Sequence, residues 1–300
     1  MQYSVFLLFA GALLSTLLAP VSIRYARLLD AVDHPDGGRH LHPRPTPRLG
    51  GLALLLTVLP LSVFLPRETA VSVWLTGGAL IAALGVSDDL YALSPPVKLS
   101  AQLAICALPA AFGLAPKVFS LGEFAFSFPH PLGNIFSLLW VLLLVNAFNL
   151  IDGADGLCAV LSLVGMLAIF LASGRHAVLL LFGSVIGFLP YNLPLRKHIT
   201  RSFLGDTGAL FLGYSLAVFS LASPRFSVGI PFFFALPLFD LARVFILRLL
   251  KGKNPFHADR THLHHRLAEK GYSNSAILAL CTVYALLFSA FGLALVMLSR

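Results

Sequence analysis

Charge is scarce in this 300-residue chain: Asp, Glu, Lys and Arg together make up 11% of it. A soluble domain carries about a quarter charged residues, so a water-exposed globule is excluded. Cysteine is scarce too. Cys106, Cys158 and Cys281 all fall in apolar stretches, with neither metal-ligand spacing nor a disulfide pattern, and read as plain apolar packing. No internal repeat, low-complexity tract or lipidation motif is present. The start lacks the basic n-region of a signal peptide. Met1-Gln-Tyr-Ser runs straight into the apolar residues 5–20, and Arg24 and Arg27 come only afterwards. The expectation is an uncleaved first span with its N-terminus outside.

What the chain has in excess is apolar length. Hydrophobic residues make up 58% of it and the mean hydropathy is +0.87. Stretches of about 17 residues or more match the hydrocarbon thickness of a bilayer. Run lengths place about ten spans near 4–22, 49–66, 71–87, 97–115, 132–150, 157–172, 177–194, 208–222, 229–249 and 276–298. The predicted fold class is therefore all-α: a polytopic membrane helical bundle forming a single integral-membrane domain over 1–300. Gly122, Pro129 and the phenylalanines around them predict a short external hairpin near 117–131.

Lys and Arg set the orientation. Sixteen of the 21 fall on one side of the predicted spans, and five (Arg67, Lys117, Arg175, Arg225, Arg300) on the other. The first side is assigned to the cytoplasm, with both termini external. Of the acids, only Glu68 and Glu123 fall outside. A net charge of +8 thus reflects topology and anionic ligands rather than nucleic acid.

Five polar segments interrupt the apolar chain, all on that cytoplasmic side. The first is His42-Pro-Arg-Pro-Thr-Pro-Arg-Leu-Gly-Gly51. The second is Asp88-Asp89, with Lys98 beyond it. Adjacent carboxylates repel, so the pair calls for a divalent cation, a proton-transfer role or a solvated capping turn. Lys98 is an interface anchor or a phosphate partner. The third is Asn146-Ala-Phe-Asn149-Leu-Ile-Asp152-Gly-Ala-Asp155-Gly156. Its oxygen-rich side chains recur three apart, which suits Mg²⁺ or Mn²⁺ and sugar hydroxyls. The fourth is Phe203-Leu-Gly-Asp206. Its carboxylate is a helix cap or a hard metal ligand. The fifth is Asp259-Arg260-Thr-His262-Leu-His264-His265-Arg266. It lacks the spacing of a zinc helix, and arginine alternating with histidine suits an anion such as pyrophosphate, or else a surface loop. Asp240 and Arg243 lie three apart inside a span and are expected to pair with each other.

Taken together, these segments resemble the polyprenyl-phosphate N-acetylhexosamine-1-phosphate transferase family. The shared motifs are Pro-Thr-Pro-Arg-x-Gly-Gly, Gly-x-x-Asp-Asp with a following Lys, Asn-x-x-Asn-x-x-Asp-Gly-x-Asp-Gly-Leu, Phe-x-Gly-Asp-x-Gly and His-x-His-His. They cover nearly the whole chain in the family's order. The first and last resemble more the bacterial enzymes that begin O-antigen, common-antigen or teichoic-acid linkage synthesis, with undecaprenyl phosphate as acceptor, than the peptidoglycan-precursor branch. The opening turn departs from the pattern: Asp33-His34-Pro35-Asp36-Gly37-Gly38-Arg39 is one residue longer and has Asp where the family has Asn.

The resemblance implies transfer of a UDP-linked N-acetylhexosamine 1-phosphate, with GlcNAc as the default sugar, to undecaprenyl phosphate, releasing UMP. It implies a magnesium cofactor (manganese in its place), with Asn149 and Asp206 as ligands. Asp88, Asp89 and Asp155 form the implied catalytic set, Asp88 deprotonating or orienting the lipid phosphate. Lys98, Asn146, Asp152, Arg260, His262, His264 and His265 are the implied substrate-binding residues. A homodimer is carried over by analogy alone. Direct attack by the lipid phosphate and a route through an aspartyl-phosphate both fit the sequence. A transporter of anionic solutes is the alternative from another class. It would place broken helices at mid-membrane in repeated halves, whereas these polar segments gather at one face. A CDP-alcohol phosphotransferase would need Asp-Gly-x-x-Ala-Arg, which Asp152-Gly-Ala-Asp155 does not match.

Overall fold

A computed structural model describes residues 2–34, 45–194, 200–223, 225–252 and 262–299. The chain is mostly helical. α1 (Gln2–Leu28) leads to the two-residue strands β1 (Val32–Asp33) and β2 (Thr46–Pro47), then α2 (Gly50–Leu61) with a 3-10 turn at Ser62–Phe64. α3 (Thr69–Tyr91), α4 (Pro95–Cys106) and the single turn α5 (Leu108–Ala111) precede the strands β3 (Val118–Leu121) and β4 (Phe124–Ser127). α6 (His130–Ile151), α7 (Leu157–Ser173), α8 (His176–Asn192) and α9 (Gly205–Leu221) follow. The chain closes with β5 (Arg225–Ser227), a 3-10 turn (Ile230–Phe234), α10 (Ala235–Leu250), the short α11 (Leu263–Glu269) and α12 (Asn274–Leu298).

Among the described residues five helices are long and apolar enough to cross a membrane: Gln2–Leu28, Thr69–Tyr91, His130–Ile151, Ile230–Leu250 and Asn274–Leu298. Shorter apolar helices lie at three further predicted positions, Gly50–Phe64, Leu157–Ser173 and His176–Asn192, and two boundaries differ from expectation. The first helix runs on to Leu28 and takes in Arg24 and Arg27, because long basic side chains cover apolar surface with their stems and favour a helix C-terminus. The stretch expected near 97–115 breaks after Cys106, and Pro109 sits in the first turn of the separate α5, as proline demands.

α9 is the axis of the bundle: every residue from Thr207 to Leu221 is buried. α2, α3 and α6 approach it through glycine. A Cβ on Gly213 of α9 would meet the Leu144 carbonyl of α6 at 2.7 Å, and one on Gly85 of α3 would meet Thr207 at 2.5 Å. Both tryptophans donate to α9 as well: Trp74 Nε1 to Ser215 Oγ and Trp140 Nε1 to Ser220 Oγ, each at 2.8 Å. α1 lies along α8 in the same way. A Cβ at Gly183 or Gly187 would collide with the carbonyls of Leu8 or Ala12. Small residues at such contacts let backbones pack closely where apolar burial cannot tell helix from lipid.

The connectors sort to two ends. One end gathers Tyr3, whose hydroxyl bonds the Phe64 carbonyl, the Arg175–Glu68 ion pair (2.9 Å) and a three-stranded sheet. In that sheet β3 pairs antiparallel with β4 in a hairpin and parallel with β5. Ser299 joins this end through its hydroxyl, which accepts from the Gly122 amide at 3.1 Å. The other end gathers β1, β2 and the five polar segments as far as they are described. The three cysteines are free and buried in the packing between.

Gly183→Val inserts an isopropyl group against the α1 backbone, an overpacking that costs about 1–3 kcal/mol. The melting temperature in detergent should fall by several degrees, at about 2–4 °C per kcal/mol for a chain of this size. An unchanged melting temperature would mean that α1 and α8 do not touch there.

Candidate active site

The two adjacent aspartates at the end of α3 turn in different directions, since neighbours on a helix point about 100° apart. Asp89 faces α9. One oxygen accepts the Asp206 amide at 3.0 Å; the other accepts the Thr207 amide at 3.0 Å and its hydroxyl at 2.7 Å. α9 begins at Gly205 with no side-chain cap of its own, so Asp89 serves amides that would otherwise lack an acceptor. Gly205 has φ +68°, and a Cβ there would strike the Arg48 carbonyl and the Asp89 carboxylate.

Asp88 faces Lys98. Its carboxylate pairs with the Lys98 ammonium at 2.7 Å and accepts the Leu93 amide at 2.7 Å. Lys98 is set in the first turn of α4 by Pro95 and Pro96. Its ammonium also pairs with Asp206 and donates to Asn149 Oδ1 at 3.3 Å. Asn149 Nδ2 in turn donates to Asp206 Oδ1 at 2.8 Å. Asp88, Lys98, Asn149 and Asp206, from four helices, thus form one cluster around a single ammonium.

Beside the cluster opens a cavity of about 340 Å³, within the size range of small-ligand sites. Asp89, Asn149 and Asp206 form one wall, Asp33 and Arg48 a second, and His264 and His265 a third. Asp33 and Arg48 pair at 2.8 Å. The floor is the turn Asp152-Gly153-Ala154-Asp155, which ends at Gly156 with φ +73°. Withdrawal from water, and then the carboxylates of Asp206, Asp89 and Asp155, raise the Asp152 carboxyl well above its usual range.

The histidines divide as well. His262 stands at the head of α11, buried, and its Nδ1 meets Asp240 Oδ2 at 2.9 Å, away from the cavity. His264 lies over the turn, so close that Gly153 has no room for a Cβ. It is 4% exposed, and among the described residues neither ring nitrogen has a hydrogen-bond partner. Burial, then the neighbouring His265 and His262, lower its pKa to about 3. Arg260 and Arg39 lie outside the described residues.

The predicted residues Asp88, Asp89, Lys98, Asn149, Asp152, Asp155, Asp206, His264 and His265 therefore meet in one place. Asn146 is displaced from it: its Nδ2 donates to Gln102 Oε1 at 3.1 Å and to the Leu142 carbonyl at 2.8 Å. No motif marks Gln102, although it stands four residues after Lys98 and so shares its helix face. Arg48 and Asn192 also line the cavity. Arg48 belongs to a quoted motif, whereas nothing in the local sequence marks Asn192. A second cavity of about 140 Å³ at the hairpin end carries serines and two arginines but no carboxylate or histidine.

Among the described residues no three carboxylates, imidazoles or thiols converge to form a metal site by themselves. What converges is one oxygen each from Asp88, Asp206 and Asn149, all directed at the cationic Lys98 nitrogen. These are hard donors around a positive charge. They suit Mg²⁺, which takes one or two carboxylates and completes its shell with substrate phosphates and water.

Fold and site define a class: a multi-pass membrane protein whose carboxylates and lysine gather at one end of its helices to meet a charged ligand. Comparison with known sequences narrows it. Residues 71–224 match glycosyl transferase family 4, and the chain belongs to that family. It is 35% identical to the probable undecaprenyl-phosphate N-acetylglucosaminyl 1-phosphate transferase of Bacillus subtilis, over 94% of this chain and 82% of that protein. It is 32% identical to the undecaprenyl-phosphate alpha-N-acetylglucosaminyl 1-phosphate transferase of Thermotoga maritima, over 94% and 88%. Against the Escherichia coli K12 protein of the same name it is 28% identical, over 93% and 80%.

Two outcomes follow from this geometry. Asp89→Ala removes the acceptor at the head of α9 and should cost about 1–2 kcal/mol of stability, read as a lower melting temperature. No change would mean the cap is dispensable. His264 has a folded pKa of about 3, below its unfolded value of about 6.5. Its contribution is therefore fully present above pH 6.5 and is lost as pH falls from there towards 3, by up to about 1.4 kcal/mol per pH unit. His264→Gln should flatten the fall in melting temperature between pH 6.5 and 5. An identical slope in the variant would place that protonation elsewhere.

Proposed function

We propose that this protein transfers N-acetylglucosamine 1-phosphate from UDP-GlcNAc to undecaprenyl phosphate, releasing UMP. This would be the first membrane step in making an O-antigen, capsule or teichoic-acid-type envelope glycan. The observation that carries the proposal is the Asp88–Lys98–Asp206–Asn149 cluster at the ends of apolar helices, where a water-soluble nucleotide sugar and a lipid phosphate can meet. The printed names of the relatives support the same reaction.

Two anions must approach each other, so neutralising charge is the main catalytic task. Asp206 and Asn149 would hold Mg²⁺ (or Mn²⁺) together with diphosphate oxygens of the donor. Bound there, the ion would withdraw charge from those oxygens and stabilise departing UMP. Lys98 exchanges part of its carboxylate pairing for a phosphate oxygen and draws the acceptor in. Asp88 orients the lipid phosphate and takes its proton. Asp89 has three donors on its two oxygens, and Asp88 a lysine and an amide. Carboxylates so engaged favour direct attack by the lipid phosphate oxygen on the β-phosphorus. Asp152 and Asp155 meet the nucleotide side, and His264 and His265 the diphosphate or sugar. A neutral imidazole such as that of His264 has one nitrogen to donate to a ligand and one to accept from it.

The bacterial cytoplasmic membrane is the proposed location, with ten helical segments crossing it and one domain over 1–300. Successive connectors alternate between the two ends of the bundle, which supports that count. The basic end would face the cytoplasm; the hairpin and both termini would be external.

UMP should appear only when UDP-GlcNAc, undecaprenyl phosphate and Mg²⁺ are all present, and chelation should stop it. Asp206→Ala should lower turnover at least about 100-fold while the chain still inserts. Undiminished magnesium-dependent transfer in that variant would remove Asp206 from the centre.

A further inference from the structure

The buried carboxylate of α10 is not explained by the reaction. Asp240 is 1% exposed and does not line the cavity. Its two oxygens nevertheless serve three donors: Oδ1 accepts Arg243 Nη2 and the Leu263 amide, and Oδ2 meets His262 Nδ1, each at 2.9 Å. Arg243 balances the buried charge, as a carboxylate in such surroundings requires. The other two donors belong to the head of α11, 22 and 23 residues further along the chain.

α11 needs that help. It has seven residues and no side-chain cap of its own, too few to be stable alone. Asp240 supplies the missing acceptor at its first amide. Because a carboxylate can only accept, His262 must carry its hydrogen on Nδ1. The contact then passes on: the His262 ring lies parallel to that of His264, centroids 6.1 Å apart and planes 8° apart. His264 is the histidine that overlies Gly153.

We infer that Asp240 is a positioning residue, which through His262 and the Leu263 amide fixes the place of α11 and so the entry of His264 into the cavity. Asp240 touches no substrate and acts only through the histidine segment. The inference rests on the proposed transfer only where activity is the readout.

The test uses the full-length protein in detergent, with Asp240→Asn, His262→Gln and the double variant. Asn keeps an oxygen for the Leu263 amide but offers His262 a donor in place of an acceptor. Amide hydrogen exchange over 263–269 should rise at least about tenfold in each variant and stay unchanged in α9. In UMP-release assays each single variant should raise KM for UDP-GlcNAc about tenfold, and the double variant no further, since both changes remove one interaction. KM for undecaprenyl phosphate should not move. Unchanged exchange over 263–269, or multiplicative effects in the double variant, would overturn the inference. Should Asp240→Asn not be recovered folded, His262→Gln breaks the same pair and is judged by the same exchange. Absence of UMP release from the wild type would count against the proposed reaction, while the exchange measurement still decides the clamp.

Discussion

The bond between Asp89 and the head of α9 is the constraint on which the site depends. α9 is buried from Thr207 to Leu221, its first amides have no acceptor within the helix, and a buried amide left without one costs about 1–3 kcal/mol. Asp89 meets two of them and a hydroxyl besides. Once α9 is anchored to the end of α3, Asp206 in its first turn is delivered to Asn149 and Lys98. The same anchor requires α3 and α9 to lie close, which Gly85 permits. Neighbouring carboxylates that look redundant in the sequence thus divide the work: one holds the frame, the other faces the cation.

Much of this was legible in the sequence, for identifiable reasons. Apolar run length is imposed by bilayer thickness, so helix positions followed from it. Connectors that alternate in charge also alternate between the ends of the bundle, and the polar segments therefore meet. Run length could not show the break after Cys106, which depends on Pro109 and on where α4 finds its packing. Nor could it show that β5 joins the hairpin through a parallel pairing more than 100 residues away in the chain.

Individual roles were harder to read than membership. The Asp88-Asp89 pair reads the same in either order, and only the helical rotation assigns cap and cluster. The histidine spacing suits an anion site or a surface loop as one unit, yet His262 turns inwards to Asp240 while His264 and His265 face the cavity. Asp240 and Arg243 do pair as their spacing suggested, but a local pattern cannot reveal a third partner 22 residues away. Asn146 pairs with Gln102 for the same reason: which buried polar groups find each other is decided by helix packing.

The chain has only two tryptophans, and both indoles donate to serines of α9, five residues apart. Trp74 comes from α3 and Trp140 from α6, the helices that carry Asp88 and Asn149. Intrinsic fluorescence is therefore an optical readout of how one central helix sits against its neighbours, and it needs no attached dye. Replacing either indole with phenylalanine leaves a single tryptophan to excite selectively beside the tyrosines, so the α3 and α6 contacts can be followed separately as ligands arrive.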